Sequence, residues 1–137
     1  MKIEPYLNFN GQCADAFRFY EKVFGGKIEA ITTHGESPIA GEVPADWHPL
    51  VLHARMTVGD IDLMGSDSPP DRYERPQGIW VSVNITDPAE AERVFNALAD
   101  NATIVMPFEQ TFWAQRFGML VDRFGIPWMI NCPRDAV

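Results

Sequence analysis

Apolar residues along this chain recur at two spacings, and the changes from one spacing to the other mark its elements. Ile3, Leu7 and Phe9 stand at even intervals, predicting a strand over about 3–9 that Gly11 ends. Cys13, Phe17, Tyr20 and Phe24 then fall at helical intervals, predicting a helix over about 12–24 with Arg18 and Glu21 on its far side. Gly25-Gly26 supplies its left-handed end. Strand spacing returns at Lys27–Thr33, Leu50–Val58 and Ile61–Ser66, the last two joined by Gly59-Asp60 in an order that suits a type II′ turn. Between the second and third strands lies a long loop, His34–Pro49, rich in Gly and Pro and of a length typical of binding loops.

The run DSPPDRYERP, 67–76, breaks the pattern. Strand spacing resumes over Gly78–Ile85. Asp87-Pro88-Ala89-Glu90 reads as a helix start in which Asp87 caps and Glu90 closes a capping box. Ala91, Val94, Phe95 and Leu98 form the apolar stripe of that helix. Thr103–Phe108 is a further strand. The chain closes on a hairpin, Phe112–Val121 and Ile126–Cys132, around the corner Asp122-Arg123-Phe124-Gly125. The order is therefore βαβββ, a break, and βαβββ again: module 1 over about 1–67, a linker over about 68–76 and module 2 over about 77–133. The fold class is α+β. One helix covers one face of each sheet, so the opposite faces must be buried together or enclose a cavity.

Alternation sorts the side chains. Pairing across Gly59-Asp60 sets Thr57 opposite Asp62, Arg55 opposite Met64 and His53 opposite Ser66, all six on one face. Leu52, Ala54, Met56, Ile61 and Leu63 form the helix-packed face. In module 2, Val81, Val83 and Ile85 pack on the helix. Trp80, Ser82 and Asn84 face the other way, with Met129, Asn131, Gln115, Phe117 and Met119 as neighbours and Trp113 close by.

Composition narrows the uses of these faces. At 137 residues and 46% hydrophobic, the chain can build a core. A net charge of -8 repels phosphate backbones and argues against nucleic acid. No run approaches the ~18 apolar residues of a membrane span, so no membrane partner is expected. Cys13 and Cys132 read as two reduced thiols, and with no export signal at the start the chain is expected to be cytoplasmic.

Several stretches carry a family resemblance: Pro5-Tyr6-Leu7-Asn8-Phe9, Ala14–Tyr20 with Phe24-Gly25, Gly35-Glu36-Ser37-Pro38, His53-Ala54, and Thr111–Ala114 with Phe124–Asn131. The chain resembles the PhnB-like branch of the vicinal oxygen chelate superfamily, the glyoxalase and bleomycin-resistance fold. That resemblance implies curved mixed sheets enclosing a cavity, helices on the outer faces, and a homodimer. It implies no single reaction: its members include metal-dependent lyases, isomerases and oxygenases as well as metal-free binding proteins. Metal-binding relatives place ligands at four positions that here hold Pro5 or Tyr6, Asp62, Trp80 or Ile79, and Met129. Only Asp62 is a ligand for a hard cation, and several N or O ligands are needed. No metal and no cofactor is therefore expected. A nucleotide-like cofactor also lacks its usual strand, Gly-x-Gly loop and helix.

The expected function is binding of a small molecule in a mixed pocket lined by Arg55, Asp62, Met64, Ser66, Trp80, Trp113, Gln115, Phe117, Met129 and Asn131. Each has a plainer role open to it. Asp62 can be solvated beside its turn or paired with Arg55, the two tryptophans can be core, and His53 can be a structural hydrogen-bonder. The alternative is an enzyme of the glyoxalase or dioxygenase type with an atypical divalent-metal site or with His53 as acid/base.

Overall fold

Helix α1 (Cys13–Phe24) buries Cys13, Ala16, Phe17, Tyr20 and Val23, the stripe its spacing predicts, and ends on Gly25 at φ 70°. In the computed structural model, which describes residues 1–134, it covers one face of a four-stranded sheet: β1 (Tyr6–Phe9), β2 (Lys27–Thr33), β3 (Val51–Val58) and β4 (Ile61–Asp67). The spatial order is β1-β4-β3-β2, with β1 parallel to β4 and the other pairs antiparallel. The second unit repeats this plan. Its strands are β5 (Val81–Asn84), β6 (Thr103–Glu109), β7 (Ala114–Val121) and β8 (Pro127–Pro133), in the order β5-β8-β7-β6, and helix α2 (Pro88–Leu98) packs on β7 and β8. The chain thus forms two compact units, Met1–Glu74 and from Arg75 on, each one βαβββ module.

The registers match the expected pairing. Arg55 lies opposite Met64, Thr57 opposite Asp62 and Val58 opposite Ile61. Of the turn pair, Gly59 alone has a positive φ, 58°, which agrees with a type II′ corner and not with type I′, where both residues would. Gly65 is required where β4 passes under α1: a Cβ there would sit 2.8 Å from the Leu7 carbonyl oxygen and 2.9 Å from the Phe17 ring.

Some expectations shift. Two strands start later than the alternation suggests, β1 at Tyr6, where only the Pro5 carbonyl before it still accepts from the Met64 amide at 3.3 Å, and β5 at Val81; Ile3 and Ile79 are exposed. Ile61 is also exposed, as a residue at a hairpin tip beyond the reach of α1. Register slips between Thr32 and Thr33 put Val51 rather than Leu52 in the core. Asp87 caps α2 through the Glu90 amide at 3.2 Å, but the Glu90 carboxylate does not return the bond. It pairs with Arg93 one turn on, at 2.6 Å, so the capping box is half closed. The long loop folds on itself. Two 3-10 turns, Ala40–Glu42 and Ala45–Trp47, stand over a base closed by backbone bonds from His34 to Leu50 and from Gly35 to His48.

Two buried carboxylates hold the corners. Asp67, at the end of β4, accepts from the Cys13 amide at 2.9 Å and the Val51 amide at 2.8 Å, tying α1 and β3 to one strand end. Burial, and then the Asp67 charge, push the Cys13 thiol far above its ordinary pKa. Asp122 accepts from the Phe124 and Ile126 amides at 2.8 and 3.0 Å and from the Trp128 indole at 2.8 Å, fixing the closing hairpin.

Candidate functional site

The face of the first sheet opposite α1 carries His53, Arg55 and Thr57 on β3, Asp62, Met64 and Ser66 on β4, and Tyr6 and Asn8 on β1. The parallel register sets Tyr6 beside Met64 and Asn8 beside Ser66. All six residues expected on this face, His53, Arg55, Thr57, Asp62, Met64 and Ser66, are there and half-buried. Its chemistry is polar and largely engaged. The Tyr6 hydroxyl lies 3.3 Å from His53 Nδ1, with the rings 5.9 Å apart. Arg55 reaches Asp62 at 3.5 Å. The Asp62 amide donates to Glu4, and the Thr57 hydroxyl to Glu29 at 3.2 Å. Sequence reasoning considered Tyr6 only as a ligand position. The signal it passed over is the alternation of Tyr6 with Asn8, which places both on the polar face.

On the second sheet, Phe117 pairs with Asn131 and Met119 with Met129, while β5 brings Ser82 to Met129 and Asn84 to Asn131. The Asn131 amide donates to the Asn84 side chain at 2.9 Å, and its own buried Oδ1 has no partner. Trp113 meets Phe117 edge-on with ring centres 5.4 Å apart and stands half-exposed beside the outlying Phe112. The Gln115 amide reaches the Pro133 carbonyl at 3.1 Å. Trp80 departs from this cluster. It lies at the other end of the sheet in an open depression of about 190 Å³ lined by Arg75, Gln77, Val105, Val121 and Pro127, with Pro76 and Gly78 completing the rim. Of these only Trp80 was expected. Arg75 sits in the proline-rich break, where no periodicity assigns it a face.

The registers make the two sheets comparable position by position. If Met64 corresponds to Met129, then Tyr6 corresponds to Ser82, Asn8 to Asn84, Ser66 to Asn131, Arg55 to Met119 and His53 to Phe117. The same lattice is charged and hydrogen-bonded in the first unit and apolar or amide-bearing in the second.

These residues do not suit the superfamily's divalent ion. The ligand positions offer a phenol or an imino acid, one carboxylate already facing Arg55, an indole or an isoleucine, and a thioether. Among the described residues no three His, Cys, Asp or Glu side chains form a group able to hold a metal ion. A nucleotide-like cofactor is no better served. The two strand-to-helix connections are Asn10-Gly11-Gln12 and Ile85-Thr86-Asp87, and the second sets a carboxylate at the helix N-terminus, where an anionic ligand would otherwise sit.

Paired βαβββ modules of this topology define the vicinal oxygen chelate class. Within it, a family model described as 3-demethylubiquinone-9 3-methyltransferase matches residues 1–131. The chain belongs to that PhnB-like family. It is 33% identical over 139 aligned residues to protein YjdN of Escherichia coli (strain K12), covering 96% of this chain and 95% of that one. Among solved structures it is similar to protein PA1353 of Pseudomonas aeruginosa, at 48% identity and TM-score 0.90, covering 98% and 99% of the two chains. A putative 3-demethylubiquinone-9 3-methyltransferase, PhnB protein, of Bacillus cereus aligns at 25% identity and TM-score 0.80, over 96% and 99%.

Proposed function

We propose that this chain binds a small organic molecule in a mixed aromatic and polar pocket, without a divalent ion. The observation that carries this reading is the depression at the Trp80 end of the second sheet, concave, mostly apolar and edged by a few polar groups, as small-molecule sites are. Arg75 and Gln77 at its edge support it as sources of directional hydrogen bonds. A thermal-shift screen of metabolites tests it: a ligand at 100 times its dissociation constant adds about 2.7 kcal/mol. Hits whose stabilisation disappears in Trp80→Ala support the reading. Stoichiometric Zn, Ni, Mn or Fe in protein purified without chelator, lost in Asp62→Ala, overturns its metal-free part.

The Tyr6–His53 contact favours a second reading, acid/base catalysis in which His53 takes a proton from the Tyr6 hydroxyl as Tyr6 acts on a bound substrate. Paired variants test the dyad: any turnover of a screened ligand must be lost in both His53→Ala and Tyr6→Phe, and turnover kept in either removes it. We also infer a homodimer. Ile104, Val105 and Met106 are exposed together on β6, an edge strand, an apolar edge that invites pairing with a second copy. A monomer in sedimentation at micromolar concentration counts against it. Two buried free thiols suit a reducing, cytoplasmic setting.

A further inference from the structure

We propose that the depression beside Trp80 takes a small planar organic monoanion, its charge held by Arg75 and its flat body laid against the indole. This rests on the small-molecule reading above and adds the chemistry of the ligand.

The charge follows from what lines the site. The chain is strongly acidic, at -8, yet the one charged side chain at this depression is a cation. Four arginines of the described residues, Arg18, Arg55, Arg93 and Arg123, are paired with carboxylates. Arg75 is not. Its side chain makes a single long bond, 3.5 Å, to the neutral Gln77 carbonyl. A guanidinium so placed keeps its planar fork of donors for a carboxylate.

The shape follows from the walls. Val105, Val121, Pro76 and Pro127 contribute apolar side chains, and Trp80 adds its indole. At the packing density of a protein interior, about 190 Å³ holds about ten non-hydrogen atoms. The rim is set by the backbone. Gly78 takes a φ of 81°, open to glycine, and turns the Arg75–Gln77 segment along the depression before β5 begins. A cation would meet Arg75, and a multiply charged anion would find one guanidinium in an acidic protein. A monoanion with an aromatic or conjugated body satisfies every wall.

The test uses the full chain, labelled with nitrogen-15, and three probes: benzoate, its neutral isostere benzamide, and acetate, which has the charge without the body. The readout is the Trp80 indole N–H resonance, assigned with Trp80→Phe. A ligand of this size on an open site binds with a dissociation constant of about 0.1–10 mM. Benzoate is expected to move the Trp80 resonance, with benzamide and acetate at least tenfold weaker. Arg75→Gln, a change at an exposed residue, is expected to bring benzoate down to the benzamide level. If benzamide binds as well as benzoate, or Arg75→Gln leaves benzoate unchanged, the anion assignment is overturned while the small-molecule reading stands. If no probe moves the Trp80 resonance, the inference falls, and the metabolite screen decides the broader reading on its own.

Discussion

Replacing Asp122 by Asn removes one charge and almost no volume, yet it should be among the more costly conservative changes in this protein. Asp122 is 4% exposed. Its Oδ1 accepts from two backbone amides, Phe124 and Ile126, while Oδ2 accepts from the Trp128 indole N–H, itself buried. An amide has one acceptor and one donor end. In one orientation its NH₂ faces the indole N–H; in the other it faces two backbone N–H groups. At least one buried donor then loses its partner. A hydrogen bond to a charged group contributes about 1.5–3 kcal/mol, and the surviving bonds weaken as the charge goes. The expected cost is about 2–4 kcal/mol, most of it specific to the indole in the better orientation.

A double-mutant cycle isolates that specific part. Trp128→Phe deletes the indole N–H and leaves a small cavity, whose cost appears in both arms and cancels. In that background Asp122→Asn should cost only about 1 kcal/mol, from the weaker acceptor left to Phe124 and Ile126. The expected coupling is therefore about 1–3 kcal/mol, read from urea unfolding midpoints at constant slope. Equal costs of Asp122→Asn in the two backgrounds would refute the assignment of Oδ2 to Trp128 as a stabilising bond.

Other outcomes follow from the same geometry. Asp67→Asn confronts the same problem with the Cys13 and Val51 amides and should cost about 2–4 kcal/mol in urea unfolding. Gly65→Ala forces a Cβ against the Leu7 carbonyl and the Phe17 ring and should cost about 1–3 kcal/mol, with Phe17→Leu recovering part of it. Cys13, whose folded pKa is raised, contributes stability fully present below the ordinary thiol pKa and lost as pH rises above it, because the unfolded thiol ionises first. Above pH ~9 the wild type should therefore lose stability faster than Cys13→Ala, by about 1.4 kcal/mol per pH unit; parallel pH profiles would contradict this.

The doubled βαβββ order was legible because each helix stripe and each strand alternation is strong over several turns or residues, and because Gly25 and Gly59 take the positive φ that glycine alone adopts freely while Asp87 caps a helix. The face assignments on β3, β4 and β8 were legible for the same reason: a two-residue turn fixes register, and register fixes every side chain. Strand ends were less so, since Ile3 and Ile79 carry the right alternation but lack a partner strand, which no local pattern reveals. The depression was out of reach. It needs Arg75 from an irregular segment, Val105 from a bulged edge strand and Val121 from a hairpin, three residues brought together only by tertiary packing.

The two modules solve one local problem in different ways, and this explains why the sequence revealed one helix start and obscured the other. Helix α2 carries its own cap, Asp87, in the extended conformation a cap requires. Helix α1 follows Gln12, whose φ of -113° and ψ of 15° lie outside that region and whose side chain makes no capping bond. Its leading amide, on Cys13, is instead capped from across the sheet by Asp67, fifty-four positions along the chain. In the register that equates Met64 with Met129, the counterpart of Asp67 is Cys132. There the helix needs no carboxylate, and the buried Cys132 thiol donates to the Thr86 carbonyl just before the cap, at 3.6 Å. An aspartate at that place would set a second negative charge close to Asp87. The exchange of carboxylate for thiol is therefore a consequence of where each helix finds its cap. It assigns Asp67 and Cys132 to the architecture of the fold.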